Sequence, residues 1–268
     1  MPDYRNPFFA ELAHSIEDIA VGADLVMIVG STGGKPGRAE QYLRTMVDRK
    51  VDALILLSAS TWSELDPTRV GSLPLIVLDR VAEPFGASTV ISDEYGGARA
   101  GVEHLLERGY RRVACVGGPA GSAGADDRVR GWRDALRAAG YNEPDRGLVR
   151  APYTSEGGAD AATRLFEIPA RFDAVFVSSD VQSMGFLAEC HRRGVVVPAD
   201  LAFVTFDGTD LSRYAAPPLT AVTQPMLQMA QQAMLRLLER TKDSSAEPTH
   251  DVLTPHLVIR ESTPRATH

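Results

Sequence analysis

The chain has 268 residues, with 28 lysines and arginines against 35 aspartates and glutamates, and a formal net charge of −7. This length suits one large domain or two lobes, and it can bury most of its apolar surface without disulfides. An acidic balance without a basic block argues against nucleic acid as a partner of this chain itself. Only Cys115 and Cys190 are present, which is too few for a disulfide scaffold.

The first residues of the chain and the lengths of its apolar runs indicate the cellular location of the protein. The first residues, MPDYRNPFF, have neither a basic region nor an apolar stretch, so we expect no signal peptide. The apolar runs are all shorter than the roughly 18 residues that a membrane helix requires. We therefore expect a soluble, cytoplasmic protein with no membrane partner.

Short continuous apolar runs predict buried strands, because strands of a parallel sheet are covered on both faces. In chain order they are LVMIV at 25–29, ALILL at 53–57, LIVL at 75–78, VACV at 113–116, AVFV at 174–177 and AFVTF at 202–206. Stretches with helical period lie between them, and the first carries Phe9, Leu12, Ile16 and Ile19. A long helix starting near Tyr95 separates two groups of strands. This order predicts an α/β fold with two parallel-sheet lobes.

The motifs of common catalytic and cofactor sites are missing. Directly before GSTGGKPG, Val29 stands where a phosphate loop requires glycine, and in GGPAGSAG, Pro119 interrupts the dinucleotide-binding spacing. The sequence has no nucleophile elbow, no H-E-x-x-H and no histidine or cysteine cluster for a metal. Cys115 and Cys190 are expected to lie in the core. We therefore predict no enzyme activity, no cofactor and no metal site.

Polar residues follow the strand ends, which is where parallel sheets bind ligands. Ser179 and Asp180 follow AVFV, Asp207 follows AFVTF, and Arg128 lies beyond the loop after VACV. An acid, an arginine and an aromatic ring such as Tyr153 can together hold a sugar. Each also has a structural alternative: Asp180 as a helix N-cap, Asp207 in a turn, Arg128 in a surface ion pair and Tyr153 as a packing residue. These residues alone leave a two-lobed α/β binding protein and an enzyme both open.

Nine segments match one family in order and spacing. They are NPFFAEL, VDALIL, LPLIVLDR, HLLERGYRRVACVGGP, DDRVRGWRDALRAAGY, AVFVSSDVQSMGFL, GVVVPADLAFVTFDG, PPLTAVTQP and LVIRESTPR. Together they resemble the regulatory core of the lactose-repressor and galactose-repressor (LacI/GalR) family of bacterial transcription regulators. The resemblance implies a type I periplasmic-binding-protein-like fold, in which two doubly wound lobes are joined by three crossovers. We expect one lobe at 1–109 plus 226–253 and the other at 110–225 plus 254–268. The resemblance also implies a homodimer in which an effector in the inter-lobe cleft controls operator binding.

The family's ligand contacts carry over residue by residue. Arg128 matches the arginine that holds effector oxygens, and Asp207 matches the acid that accepts from sugar hydroxyls. Tyr153 and Phe8 match aromatic residues, and both are expected to stack on a ring ligand.

Two further positions match only in part. Ser179-Asp180 stands where the family has Asn-Asp, so a shorter side chain replaces the asparagine. Asp93 matches the acid of the family's V-x-x-D-N segment, but Glu94 replaces the asparagine that follows.

Two departures from the family concern the N-terminal end. The helix-turn-helix and hinge helix are absent, so we expect operator DNA to be bound only through that absent domain. An apolar strand usually precedes the segment around NPFF, whereas here only Met1, Pro2 and Asp3 come before it. Its loss would leave sheet edges unpaired, and we expect the sequence to be trimmed.

Three functions follow from these observations. We predict the non-enzymatic, effector-sensing core of a LacI-type regulator, with a sugar or sugar derivative as ligand and a purine as second candidate. The alternative is a periplasmic solute-binding protein of a sugar transporter, which shares the fold but requires a signal peptide. The third is an enzyme on the same scaffold, for which the sequence offers no catalytic constellation.

Overall fold

A computed structural model describes residues 1–35, 37–57, 70–71, 73–79, 86–243 and 246–264. The chain divides into two compact units and passes between them three times. The first, called the N-unit here, contains Met1–Ser92 and Pro225–Leu253. The second, the C-unit, contains Asp93–Gln224 and Thr254–His268.

The described helices and strands alternate as expected of an α/β protein. In chain order they are α1 (Pro7–Gly22), α2 (Arg38–Asp48), β1 (Leu54–Leu57), β2 (Leu75–Leu78), β3 (Ser88–Ser92), α3 (Glu94–Glu107), β4 (Val113–Gly117), α4 (Ala123–Ala138), β5 (Leu148–Arg150), α5 (Ser155–Glu167), β6 (Ala174–Val177), α6 (Asp180–Arg193), β7 (Ala202–Asp207), α7 (Asp210–Arg213), β8 (Thr220–Thr223), α8 (Met226–Lys242), β9 (His250–Leu253) and β10 (His256–Val258). None of the helices in this described part is long and apolar enough to cross a membrane.

The N-unit is built on a parallel sheet with the strand order β1-β2-β3-β9. The apolar stripe of α1, with Leu12 and Ile16 buried, packs with Met229 of α8 and Ile76 of β2. The helical spacing in the sequence predicted this stripe, because positions three and four apart share one face of a helix. A second apolar cluster around Leu43 connects α2 to the same sheet.

The segment 25–29 corrects one prediction, because the apolar run LVMIV does not form a strand. Val26 is 91% exposed, and the segment lines a cavity of about 420 Å³ together with apolar residues of α1, α2 and β1. The α-amino group of Met1 donates to the Gly30 carbonyl at 2.8 Å, and Thr32 N donates to the Met1 carbonyl at 3.0 Å. A strand requires a hydrogen-bonded neighbour along its length, and the described chain places none beside 25–29.

The C-unit is built on a six-stranded sheet with the order β10-β8-β7-β6-β4-β5. β10 pairs antiparallel with β8, and the other neighbouring strands are parallel. The strands predicted from VACV, AVFV and AFVTF are confirmed as β4, β6 and β7, and all three are fully buried. Helices α3 and α4 pack on one face around Trp132 and Phe176, and α5 and α6 pack on the other around Phe186 and Phe203.

Helix α3 places the first crossover at Ser92 rather than at the expected residue 109. Its glycines let it lie close to the C-unit sheet, since a Cβ atom on Gly101 would come within 2.9 Å of Val222 Cγ2. Val102 of the same helix is buried in the C-unit core. The helix therefore belongs to the C-unit through its packing, although it follows directly on a strand of the N-unit.

Candidate functional site

A buried arginine gathers polar groups at the carboxyl ends of the C-unit strands. Arg128 of α4 donates through Nε to the Glu94 carboxylate and through Nη1 to the Ser178 carbonyl. The same Nη1 lies 3.4 Å from Oδ1 of Asp207, the last residue of β7. Arg128 is only 7% exposed, so the alternative of a surface ion pair for this residue is wrong. A guanidinium can serve several acceptors at once because its N–H groups point in fixed, separate directions.

Aromatic rings complete the surroundings of the guanidinium. The Arg128 Cζ atom lies 3.9 Å from the ring centroid of Phe206 and 5.9 Å from that of Tyr153. Both distances fall within the range in which a cation is attracted to a ring face. Tyr153 is partly buried in the segment between β5 and α5, so the structure brings it together with Arg128 as predicted from the sequence.

Asp207 is held in an unusual backbone conformation. Its φ angle is 109°, in a region that residues other than glycine rarely adopt, and the next residue, Gly208, has a φ of 77°. Its carboxylate accepts from Gln224 Nε2 at 2.9 Å and from the Asp180 amide at 3.3 Å. Burial raises the pKa of the Asp207 carboxyl to about 7, although Arg128 opposes this rise. Burial likewise raises the pKa of Glu94, again against Arg128.

Asp180 is hydrogen-bonded to β7 and to the loop that follows it. Its Oδ1 accepts from Thr205 Oγ1 at 2.7 Å, and its Oδ2 accepts from the Thr209 amide and hydroxyl at 2.6 and 2.8 Å. Burial raises the pKa of this carboxyl, and those hydrogen bonds oppose the rise. The cap of α6 is Ser179, whose side chain accepts from Gln182 N, so Asp180 is not the N-cap. The side chains of Ser179 and Asp180 are thus both hydrogen-bonded within the protein.

The remaining predicted residues lie in other surroundings. Asp93 caps α3 and accepts from the Gly96 amide at 2.8 Å, directly beside Glu94. Phe8 belongs to the N-unit, where its ring is 3% exposed and packs edge-on against Phe9 within the apolar core. The stacking of Phe8 on a ligand therefore stays a prediction, whereas its role in the core is a structural fact.

Four residues of this cluster were missed as site residues in the sequence. They are Glu94, Ser178, Phe206 and Gln224. Three of them carry a buried side-chain oxygen without a hydrogen-bond partner: Glu94 Oε1, Ser178 Oγ and Gln224 Oε1. Buried polar atoms are normally paired, so three such atoms on residues bonded to Arg128 or to its partner Asp207 indicate a place where a ligand supplies hydrogen bonds. Adjacency to Asp93 and to the end of AVFV was the available signal for Glu94 and Ser178.

The cysteines and metal-ligating side chains do not form a reactive centre in the part of the chain that the structure describes. Cys115 and Cys190 are both buried and unpaired, and burial raises the pKa of the Cys190 thiol to about 12. Burial raises the pKa of Cys115 as well. Across the same residues, no group of three or more histidines, cysteines, aspartates or glutamates is placed to hold a metal ion.

The sequence matches known proteins over most of its length. Residues 102–263 match the family described as periplasmic binding protein-like domain. The chain is 30% identical to the HTH-type transcriptional regulator DegA of Bacillus subtilis over 266 residues, which cover 98% of this chain and 79% of that protein. The chain belongs to the LacI/GalR family of transcription regulators. This LacI-family chain is therefore the small-molecule-sensing core of a regulator, and a transporter protein is not favoured.

Solved structures of transcriptional regulators share its architecture. A LacI family transcriptional regulator from Enterococcus faecium with bound ribose has a TM-score of 0.89 and 25% identity, covering all of this chain and 98% of that one. The complex of the transcriptional regulator CelR with cellobiose has a TM-score of 0.88 and 28% identity, covering 96% of this chain and 79% of that one. These relatives are transcriptional regulators rather than enzymes.

Proposed function

We propose that this LacI-family core binds a sugar at the buried Arg128 cluster of the C-unit. In this proposal the core acts as a cytoplasmic, non-enzymatic homodimer, and the sugar controls operator binding by a helix-turn-helix domain outside this sequence. The observation that carries the proposal is one buried guanidinium whose partners Glu94 and Ser178, and Gln224 bonded to its partner Asp207, each carry a buried oxygen that lacks a hydrogen bond. Buried oxygens without hydrogen bonds cost free energy, and a ligand that donates to them removes this cost.

Each residue has a defined task in this proposal. Asp207 and Glu94 accept hydrogen bonds from sugar hydroxyls, and Arg128 donates to a ring or hydroxyl oxygen. Tyr153 packs on the apolar face of the sugar ring. The ribose and cellobiose bound to the two related structures support a sugar as the ligand class.

Three further residues support the pocket from the protein side. Asp180 and Ser179 hold the loops after β7 and β6 in place through the hydrogen bonds described above. Asp93 fixes the start of α3 and thereby the position of the neighbouring Glu94. Regulation then requires only that the sugar bind one conformation of the dimer more tightly than another, typically by about 1–3 kcal/mol.

Isothermal titration calorimetry of the purified core against ribose, glucose, galactose, cellobiose, hypoxanthine and guanine tests the proposal. We expect a sugar to bind and Arg128→Ala to weaken it at least about tenfold, because a buried charged partner is lost. Arg130→Ala is the matched control, since Arg130 lies two residues along α4 in an exposed ion pair with Asp127. If only a purine binds, the effector is a purine, the second candidate, and not a sugar. Sugar binding that survives Arg128→Ala unchanged would place the site elsewhere.

A further inference from the structure

We infer that Glu94 determines specificity by restricting the effector to an uncharged or cationic molecule that donates hydrogen bonds. This inference rests on the proposed function and adds the electrical class of the ligand. Glu94 is 8% exposed, and one carboxylate oxygen accepts from Arg128 Nε. Its other oxygen is buried and has no partner.

The fixed charges around the guanidinium favour such a ligand. Arg128 stands against two buried carboxyl groups, those of Glu94 and Asp207. Asp180 is a third buried carboxyl group, and the positive charge of Arg260 interacts favourably with it. With Glu94 and Asp207 both ionised, the immediate cluster carries an excess negative charge. A phosphate or carboxylate on the ligand would bring a further negative charge into a buried, low-dielectric place.

The hydrogen-bonding groups of the cluster favour the same kind of ligand. Nε and Nη1 of Arg128 are already engaged with protein oxygens, which leaves Nη2 as its donor toward a ring or hydroxyl oxygen of the ligand. Gln224 uses its amide N–H for Asp207, which leaves its buried Oε1 as an acceptor. Of the three unpartnered oxygens, Gln224 Oε1 and Glu94 Oε1 can only accept hydrogen bonds when Glu94 is ionised, whereas the Ser178 hydroxyl can donate or accept. Hydroxyl and ammonium groups supply donors, whereas an ionised phosphate oxygen or carboxylate supplies only acceptors.

Glu94 is the residue to change because glutamine has nearly the same shape as glutamate but carries no charge. Glu94→Gln keeps an oxygen that can accept from Arg128 Nε and removes one negative charge. It also turns one of the two acceptors into a donor. We therefore expect the variant to lose preference for the neutral ligand and to gain tolerance of an anionic one. Glu103→Gln is the control, because Glu103 lies on the same helix in an exposed i, i+4 pair with Arg99.

Calorimetry with matched compounds tests the inference. The probes are ribose with ribose 5-phosphate, and glucose with glucosamine, glucuronate and glucose 6-phosphate, at pH 8 and physiological salt. We expect the unaltered chain to bind the neutral or amino sugar at least about fiftyfold more tightly than its anionic counterpart. In Glu94→Gln we expect this ratio of affinities to fall below about fivefold. Thermal melting of both variants checks that they are folded.

The outcomes separate the two proposals. Anionic compounds that bind as well as neutral ones overturn the inference and leave the sugar site intact. Discrimination that is unchanged in Glu94→Gln assigns the selectivity to another residue and also overturns it. If no compound of the set binds the unaltered chain, the proposed sugar function fails, and the charge rule fails with it for these ligands.

Discussion

Arg128 and Asp207 are 79 residues apart in sequence, yet Nη1 of the first lies 3.4 Å from Oδ1 of the second in a site that excludes solvent from both. The pair forms because α4 packs on the face of the C-unit sheet that contains β7, with Phe206 of β7 beneath the guanidinium. One positive charge thus stabilises two buried carboxyl groups, Asp207 and Glu94.

Removing the guanidinium should destabilise the C-unit in a pH-dependent manner. In Arg128→Met, Asp207 and Glu94 lose their counter-charge, so both must be protonated when the chain folds. We expect the free energy of unfolding at pH 8 to fall by about 3–5 kcal/mol, the usual cost of breaking a buried pair. At pH 5 the loss should be clearly smaller, because protonation is then less costly. Urea unfolding at both pH values measures this, and an equal loss at both would contradict the charge assignment.

Asp207 should make stability decrease as pH rises from about 4 to 7. The folded chain holds the Asp207 proton up to a pKa of about 7, whereas the unfolded chain releases it near its ordinary value of 3.8. Rising pH in this window therefore favours the unfolded chain. We expect Asp207→Asn to reduce the decrease by at least about 1 kcal/mol. The comparison is urea unfolding of both proteins at pH 5 and pH 7.5.

A residual decrease is expected in Asp207→Asn, because burial also raises the pKa of Glu94 and Asp180. Parallel curves for the variant and the unaltered chain would show that Asp207 does not titrate in this range.

Helices α5 and α6 should tolerate no side chain at their closest approach. A Cβ atom on Gly185 would lie 1.7 Å from the Ser155 carbonyl oxygen, which is far inside contact distance. We expect Gly185→Ala to cost at least about 2 kcal/mol, because the two helices must move apart. Gly22→Ala is the control, since a Cβ atom there has no neighbour within 4 Å. Thermal unfolding should separate the two variants, and equal melting temperatures would refute this packing.

Hydrogen exchange should distinguish segment 25–29 from the sheet beside it. Leu75–Leu78 are fully buried and paired with β1, and the last three of them are also paired with β3. Residues 26–29 have no strand neighbour among the described residues, and Val26 is exposed. We expect the amides of 26–29 to exchange at least about a hundredfold faster than those of Leu75–Leu78. Similar protection would mean that this segment is paired in solution.

Local patterns in the sequence were sufficient for much of the C-unit. The apolar runs at 113–116, 174–177 and 202–206 became β4, β6 and β7, because a continuous apolar run must be covered on both faces. Arg128 and Asp207 were predicted because they follow strand ends, and the resemblance to LacI/GalR regulators pointed to the same two residues.

Tertiary structure decided what depends on partners far away in the chain. The run at 25–29 has the composition of a strand, but pairing is a non-local property, and the described chain places no neighbour beside it. Helix α3 follows an N-unit strand but belongs to the C-unit, because its glycines fit against β8. Glu94 and Gln224 joined the Arg128 cluster only through helix and strand packing. Sequence spacing does not reveal which buried oxygens remain without partners, since that depends on the final position of every neighbouring group.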